Sequence, residues 1–148
     1  MTADKGKKRI VCLVLAVCCP LVASAGLTVK DAWVRGTVPG QDTTGAFMTV
    51  TSTEDAKLVE ASSPIAKMTE IHKSELRNGI NEMHPVDAIT LPAGKPVELR
   101  NGGYHMMLMG ISRPVTAGQK VPITLEVVDA KGRKSKVEVQ ADVRPLGK

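Results

Sequence analysis

VPITLEVVDAKGRKSKVEVQADV, residues 121–143, contains two runs of alternating apolar and polar residues. The apolar positions of the first run are Val121, Ile123, Leu125 and Val127. They share one face of an extended chain, which is typical of a strand with one buried face. The segment DAKG, residues 129–132, separates the runs and predicts a hairpin turn. Val137 and Val139 continue the alternation in the second run, and we expect a register change near Gln140.

The chain between residue 26 and this hairpin has the same character. Short β-type runs alternate with glycine and proline, and no stretch of ten or more residues has a helical apolar stripe. The predicted strands are residues 27–34, 46–52, 57–62, 67–73, 97–100, 104–109, 121–128 and 134–143. Eight short strands with regular turns indicate an all-β fold, either a sandwich or a small barrel.

The N-terminus has the three parts of an export signal. Basic residues within 5–9 precede an apolar run over residues 10–22, and Ala23-Ser24-Ala25 matches an A-x-A cleavage site. We therefore predict a signal peptide over residues 1–25, cleaved after Ala25, and a single exported domain over residues 26–148. The apolar run is shorter than the roughly 20 residues of a membrane span, so we expect no stable membrane insertion after cleavage.

All three cysteines of the chain, Cys12, Cys18 and Cys19, lie within the predicted signal peptide. Lipid attachment is disfavoured, because a lipobox has a small residue before its cysteine, and here that position is Val17 or Cys18. The predicted mature domain has no thiol. It therefore cannot be a disulfide scaffold, a dithiol redox protein or a blue-copper protein, since each of these requires cysteine.

Charge and aromatic content argue against a nucleic-acid-binding protein. The chain has 20 basic and 15 acidic residues, and the predicted signal contains four of the basic and one of the acidic residues, which leaves a net charge of +2. The chain has one Trp, one Tyr and one Phe, and no dense basic patch remains after the signal. We therefore expect no nucleic-acid partner and a core of aliphatic and methionine side chains.

The candidate metal ligands are His72, Met83, His105 and Met107, separated by 10, 21 and 1 residues. Imidazole and thioether suit Cu(I) where thiols are absent. The Asn78-Gly79 turn predicts a hairpin that brings His72 near Met83, since facing side chains are about 5 Å apart. His105 and Met107 are two residues apart on a predicted strand, so both point to the same face. Each residue alone has a commoner role, since methionine usually fills a core and a strand histidine usually lies at a surface.

Neighbouring residues are weaker candidates. We expect Met106 and Met48 to face the core. Met68 and Met109 are expected on the ligand face, where they either assist binding or only pack. His84 directly follows Met83, so we expect it to face solvent, where it could bind Cu(II) adventitiously.

The four-residue spacing resembles the signature of the periplasmic copper chaperones called PCuAC. The similarity extends over nearly the whole predicted mature domain. It includes DAWVR at residues 31–35, GAFMT at 45–49, EIHK at 70–73 and GYHMMLMG at 103–110. Two departures are the tail RPLGK at 144–148, which lacks the His and Met residues of some members, and Asn81, where relatives often have methionine.

The resemblance implies a cupredoxin-like Greek-key β-barrel or sandwich with an exposed Cu(I) site, held by the four candidate ligands. It implies delivery of Cu(I) to the copper centres of cytochrome c oxidase, with its copper-accepting subunit as partner, alone or with a second copper chaperone. We expect a monomer and no enzymatic activity, since Glu70 and Glu82 are interpreted as solvated surface residues. The alternatives are a copper-sequestering homeostasis protein and a metal-free exported β-module.

Overall fold

The computed structural model describes residues 26–147, so the predicted signal peptide and its cleavage site lie outside the described residues. The described chain forms ten strands and no helix, which confirms the all-β prediction. The strands are β1 (Leu27–Arg35), β2 (Thr43–Ser52), β3 (Ala56–Ser62), β4 (Met68–Arg77), β5 (Ile80–Pro85), β6 (Ile89–Leu91), β7 (Pro96–Leu99), β8 (Tyr104–Met109), β9 (Lys120–Asp129) and β10 (Lys134–Arg144). No membrane-spanning helix is found in this part of the chain.

Two of these strands, β5 and β6, are additional to the eight predicted ones. β5 follows the predicted turn, where Asn78 and Gly79 have positive φ angles of 51° and 78°, as a type I′ hairpin turn requires. All six residues of β5 are exposed, so the strand has no buried face that alternation could indicate. β6 has only three residues, which is too short for a periodic pattern.

The ten strands form one hydrogen-bonded sheet in the order β5-β4-β8-β7-β2-β1-β10-β9-β3-β6, and β8 also pairs with β2. β1 pairs antiparallel with β2 and parallel with β10. The sheet curls so that β3 packs against β4, although these strands lie near opposite ends of the order. Several strands that follow each other in the chain are not neighbours in the sheet, and the long connections between them are typical of a Greek key. The predicted Greek-key barrel or sandwich is therefore confirmed.

β9 and β10 form the hairpin that residues 121–143 predict. The expected register change near Gln140 is wrong, because the pairing runs without interruption from Lys134 to Asp142. Ala141 is completely buried and continues the inward-facing alternation of β10. Because alanine is only weakly apolar, the alternation at this position was difficult to recognise in the sequence.

The core consists of aliphatic and methionine side chains. The largest fully buried ones are Leu58, Ile89, Leu91, Leu99, Met106, Leu108, Ile123, Leu125, Val34 and Val50. Met106 and Met48 are 0% and 3% exposed, as predicted. Because Met106 and Leu108 of β8 point inward, the alternate residues of that strand lie on the outer face of the sheet. This outer face is where the predicted ligands of β8 lie.

Glu126 on β9 is the acidic member of the buried polar residues that the structure describes. Its carboxylate accepts hydrogen bonds from Lys134 Nζ at 3.0 Å and Lys136 Nζ at 3.3 Å. The bond from Lys134, followed by that from Lys136, lowers the pKa of Glu126 from its usual value of 4.5. The β9–β10 hairpin thus buries the Glu126 carboxylate, and the two exposed lysines compensate for the loss of its contact with water.

Candidate metal site

The antiparallel pairing of β4 and β8 places His72 directly opposite His105. Directly opposed residues share a face of the sheet, and the two ring centroids are 5.9 Å apart with an interplanar angle of 59°. Two imidazoles on one ion, each with a metal–nitrogen bond of about 2 Å, have ring centroids roughly 5–6.5 Å apart. The two rings are therefore close enough to bind the same ion.

The hydrogen bonds of the two rings determine which nitrogens are free. The Gly103 carbonyl can only accept, so His105 Nδ1 donates to it at 3.1 Å and Nε2 keeps its lone pair. The Glu70 carboxylate likewise accepts from His72 Nε2 at 2.7 Å, which leaves the lone pair on Nδ1. Among the described residues, the buried side-chain N and O atoms without a partner are His72 Nδ1 and His105 Nε2. Buried polar atoms are rarely unpaired, so both are suited to a ligand.

The contact of Glu70 with His72 was not foreseen, and the interpretation of Glu70 as a merely solvated residue is wrong. The Glu70 side chain is 36% exposed, against 15% for His72. The contact fixes the tautomer and orientation of His72, as carboxylates commonly do for metal-binding histidines. Because strand residues two apart share a face, the position of Glu70 two residues before His72 could have indicated it.

Met83 lies near His72 across the hairpin, as expected, but the two residues do not face each other directly. β5 places Met83 opposite Ser74, two residue pairs from His72, which lies opposite Pro85. The reason is the two-residue turn, which pairs Arg77 with Ile80 and so fixes every later pair. Met83 remains on the outer face, diagonal to His72, where Cα atoms are about 7–8 Å apart and long side chains still meet.

A shallow cavity of about 200 Å³ brings Met83, His105 and Met107 together. Its other walls are Arg35, Gln41, Thr43, Thr44, Gly45, Phe47 and Asn101. His105 is 4% exposed, whereas Met83 is 51% exposed and forms the open side of the cavity. The structure thus places three of the four predicted ligands around one cavity, and His72 beside it against the His105 ring.

Phe47 forms a wall of this cavity and was not singled out as a site residue from the sequence. Its ring stacks against His105, with centroids 6.4 Å apart, and against Trp33 at 4.4 Å. A Cβ at Gly45 would lie 2.9 Å from Phe47 Cζ, so the glycine makes room for the ring. The Arg35 guanidinium lies 5.6 Å from the ring centroid. These contacts hold an apolar surface beside the His105 imidazole.

The weaker candidates are divided between the two faces. Met68 and Met109 lie opposite each other on the outer face, together with the predicted ligands. His84 is exposed on the other face, opposite Lys73, as predicted. Within residues 26–147, no group of three or more His, Cys, Asp or Glu side chains could hold a metal ion.

The charged residues of β4 on the other face pair with one another. The hydrogen bond with Lys73 is the main cause of the lowered pKa of Glu75, and Arg77 contributes as well. The same hydrogen bond raises the pKa of Lys73. These groups lie on the face opposite the two histidines, so the Glu70 carboxylate is the acidic group that contacts the histidine pair.

Comparisons with known proteins agree with this architecture. The family model described as "Putative lipoprotein LpqE-like" matches residues 27–143. "Putative lipoprotein Lxx21020" of Leifsonia xyli subsp. xyli (strain CTCB07) is 37% identical over 107 residues, which cover 70% of this chain, and this chain spans 63% of that curated relative.

Two solved structures are similar over most of the chain. The solution structure of CuI-DR1885 from Deinococcus radiodurans is 32% identical with a TM-score of 0.63, covering 83% of this chain and 81% of that one. The copper-bound PCuAC domain from PmoF2 is 22% identical with a TM-score of 0.66, covering 83% and 96%. The described chain thus has the fold of PCuAC domains.

Proposed function

This chain belongs to the LpqE-like family, and on that premise we propose that it is an exported copper carrier that binds one Cu(I) ion. The proposed ligands are His72 Nδ1, His105 Nε2 and the thioethers of Met83 and Met107. The proposal is carried by one observation: the two unpaired buried imidazole nitrogens belong to directly opposed histidines. The copper-bound forms of two similar structures support the choice of ion.

The chemistry of this ligand set favours carrying over catalysis. Thioether sulfur selects the soft ion Cu(I), and imidazole suits copper generally. All four ligands are neutral, so the loaded site has a net positive charge that the Glu70 carboxylate offsets. Met83 is the exposed ligand, so its bond can be replaced first by a ligand of an acceptor protein. The ion would then move in steps, without being released into water.

The proposed location and acceptor follow from the same comparison and from the N-terminal sequence. We propose export to the periplasm with cleavage after Ala25, and delivery of Cu(I) to the copper-accepting subunit of cytochrome c oxidase, alone or with a second copper chaperone. The family model and the curated relative are both described as putative lipoproteins, which supports export. They also make lipid attachment at Cys18 or Cys19 the competing form of the N-terminus.

Competitive titration with a chromophoric Cu(I) chelator tests the ligand assignment. We expect His72→Ala and Met107→Ala each to weaken Cu(I) binding by about two orders of magnitude or more, while circular dichroism shows an intact apo fold. His84→Ala is the matched control, because it removes an exposed imidazole from the other face and should leave the affinity unchanged. Unchanged affinity in the His105→Ala, Met107→Ala double variant would refute the site.

Two further measurements separate the alternatives. A ligand that binds only the folded state stabilises it, by about 2.7 kcal/mol at a free concentration of 100 times the dissociation constant. Cu(I) should therefore raise the unfolding temperature, whereas a metal-free β-module would show no shift. A copper-sequestering protein would keep its ion when mixed with a purified copper-accepting oxidase fragment, whereas a carrier would transfer it.

A further inference from the structure

Methionines are distributed unevenly between the two faces of the sheet. Residues 26–147 contain six methionines. Met48 and Met106 fill the core and are 3% and 0% exposed. The other four, Met68, Met83, Met107 and Met109, lie on the outer face of the neighbouring strands β5, β4 and β8. Core packing, the usual role of methionine, does not account for these four.

The pairing of β4 with β8 places three directly opposed residue pairs in succession on this face, here called the rungs of a ladder. They are His72 with His105, Glu70 with Met107, and Met68 with Met109. The first rung belongs to the site described above, and Met107 in the second rung is one of its proposed ligands. The third rung consists of two directly opposed thioethers. Opposed side chains on one face have Cβ atoms about 4.5–5.5 Å apart, which is close enough for both sulfurs to bind one ion.

The exposure of Met68 and the charge of Glu70 also favour binding of a cation by the Met68–Met109 pair. Met68 is 53% exposed, so it forgoes about half of the free energy that full burial of its side chain would give. The Glu70 carboxylate lies on the same face, between this rung and the histidines, and its negative charge favours a cation along the whole ladder.

We propose that Met68 and Met109 form a second Cu(I) site that binds through thioethers alone. Met107 completes this site when the histidine site is empty, and the ion then exchanges between the two sites. Three thioethers without imidazole bind a soft monovalent ion and discriminate against Zn(II) and Cu(II). This site is weaker than the histidine site. The proposal rests on the proposed function only for the identity of the ion.

Met107 connects the two sites. Successive same-face residues of a strand are about 6.6 Å apart, so Met107 stands midway between Met109 and His105, which are separated by roughly 13 Å. Its flexible side chain has three rotatable bonds and can serve either site. An ion bound by all three methionines can therefore transfer to His105 while Met107 remains bound. The thioether site is therefore a point of entry for the ion, and its release to an acceptor begins at Met83.

Titration of the protein with Ag(I), a redox-inert soft monovalent ion, tests this proposal when the methionine methyl groups carry ¹³C. We expect the first equivalent to shift the Met83 and Met107 methyl resonances, and the second to shift those of Met68 and Met109. In the Met68→Leu, Met109→Leu variant the second event should weaken by about tenfold or more, with the first unchanged. Met48→Leu, a volume-conserving core change, is the matched control and should keep both events.

The outcomes separate this proposal from the proposed function. In the His72→Ala, His105→Ala variant the first equivalent of Ag(I) should shift Met68 and Met109 instead, because only the thioether site remains. Shifts of Met68 and Met109 without any tight first event in the unmodified protein would support the thioether site and refute the histidine site. Methyl resonances of Met68 and Met109 that stay unchanged through two equivalents would overturn the thioether site, whatever happens at the histidines.

Discussion

Replacing Glu70 with alanine removes the acceptor of the 2.7 Å hydrogen bond from His72 Nε2. The His72 ring then loses the contact that keeps its lone pair on Nδ1, the nitrogen proposed to bind Cu(I). Partners of metal-binding histidines are typically worth 10–100-fold in metal affinity. The Glu70 side chain is 36% exposed, so water screens the contact and we expect the lower end of that range, about tenfold or 1.4 kcal/mol.

Comparison with Glu70→Gln separates orientation from charge. A glutamine amide oxygen can still accept from His72 Nε2, so this variant keeps the orientation and loses only the negative charge. Hydrogen bonds to charged groups are worth roughly 0.5–1.5 kcal/mol more than neutral ones. After screening we expect about a threefold loss for Glu70→Gln, between the unmodified protein and Glu70→Ala.

Competitive Cu(I) titration measures both losses, and nitrogen NMR of the imidazole rings reports the tautomer of His72. Glu82→Ala is the matched control, because Glu82 is an exposed glutamate on the other face of β5, opposite Glu75. If Glu70→Ala binds Cu(I) within twofold of the unmodified protein and His72 keeps its Nε2–H tautomer, the positioning role of Glu70 is refuted.

Three further predictions concern other parts of the chain. Gly45→Ala places a Cβ 2.9 Å from Phe47 Cζ, so we expect thermal unfolding to show a loss of about 1–3 kcal/mol, typical of overpacking. The lowered pKa of Glu126 implies stability that is fully present above the usual value of 4.5 and is lost as pH falls through the lower folded-state value. Urea unfolding at a series of pH values should therefore show the stability advantage over Glu126→Gln shrinking below about pH 4.5. Intact-mass analysis of the exported protein should give a chain that begins at Gly26, and a lipid-modified cysteine at the N-terminus would contradict this.

Local periodicity in the sequence predicted the parts of the site that lie on one strand. The two-residue spacing of His105 and Met107 placed both on the outer face and turned Met106 inward, as the structure confirms. The Asn78-Gly79 turn correctly predicted a hairpin. Met83 lies near His72 across that hairpin but two residue pairs away from facing it, because register depends on the number of residues in the turn as well as on its presence.

Features that depend on distant strands could not be derived in this way. Phe47 meets His105 because β2 pairs with β8, although the two residues are far apart in the sequence. The role of Gly45 follows from that same pairing, since its missing side chain makes room for a ring of its own strand to lie beside the site. A sequence pattern contains the residue types of such a wall, but the pairing of non-consecutive strands decides which ones meet.

The distribution of aromatic side chains is consistent with the proposal that the site protects its ion and still releases it. Trp33 and Phe47 lie outside the aliphatic core and stack beside His105, and the Arg144 guanidinium covers the Trp33 ring at 4.8 Å. This side of the site stands on β8, β2 and β1, which are all inner strands of the sheet. Met83 lies on β5, which is an edge strand of the described sheet and has β4 as its neighbour. The inner strands thus bury His105, which is 4% exposed, whereas Met83 is 51% exposed, and this contrast supports the proposal that exchange of the ion begins at Met83.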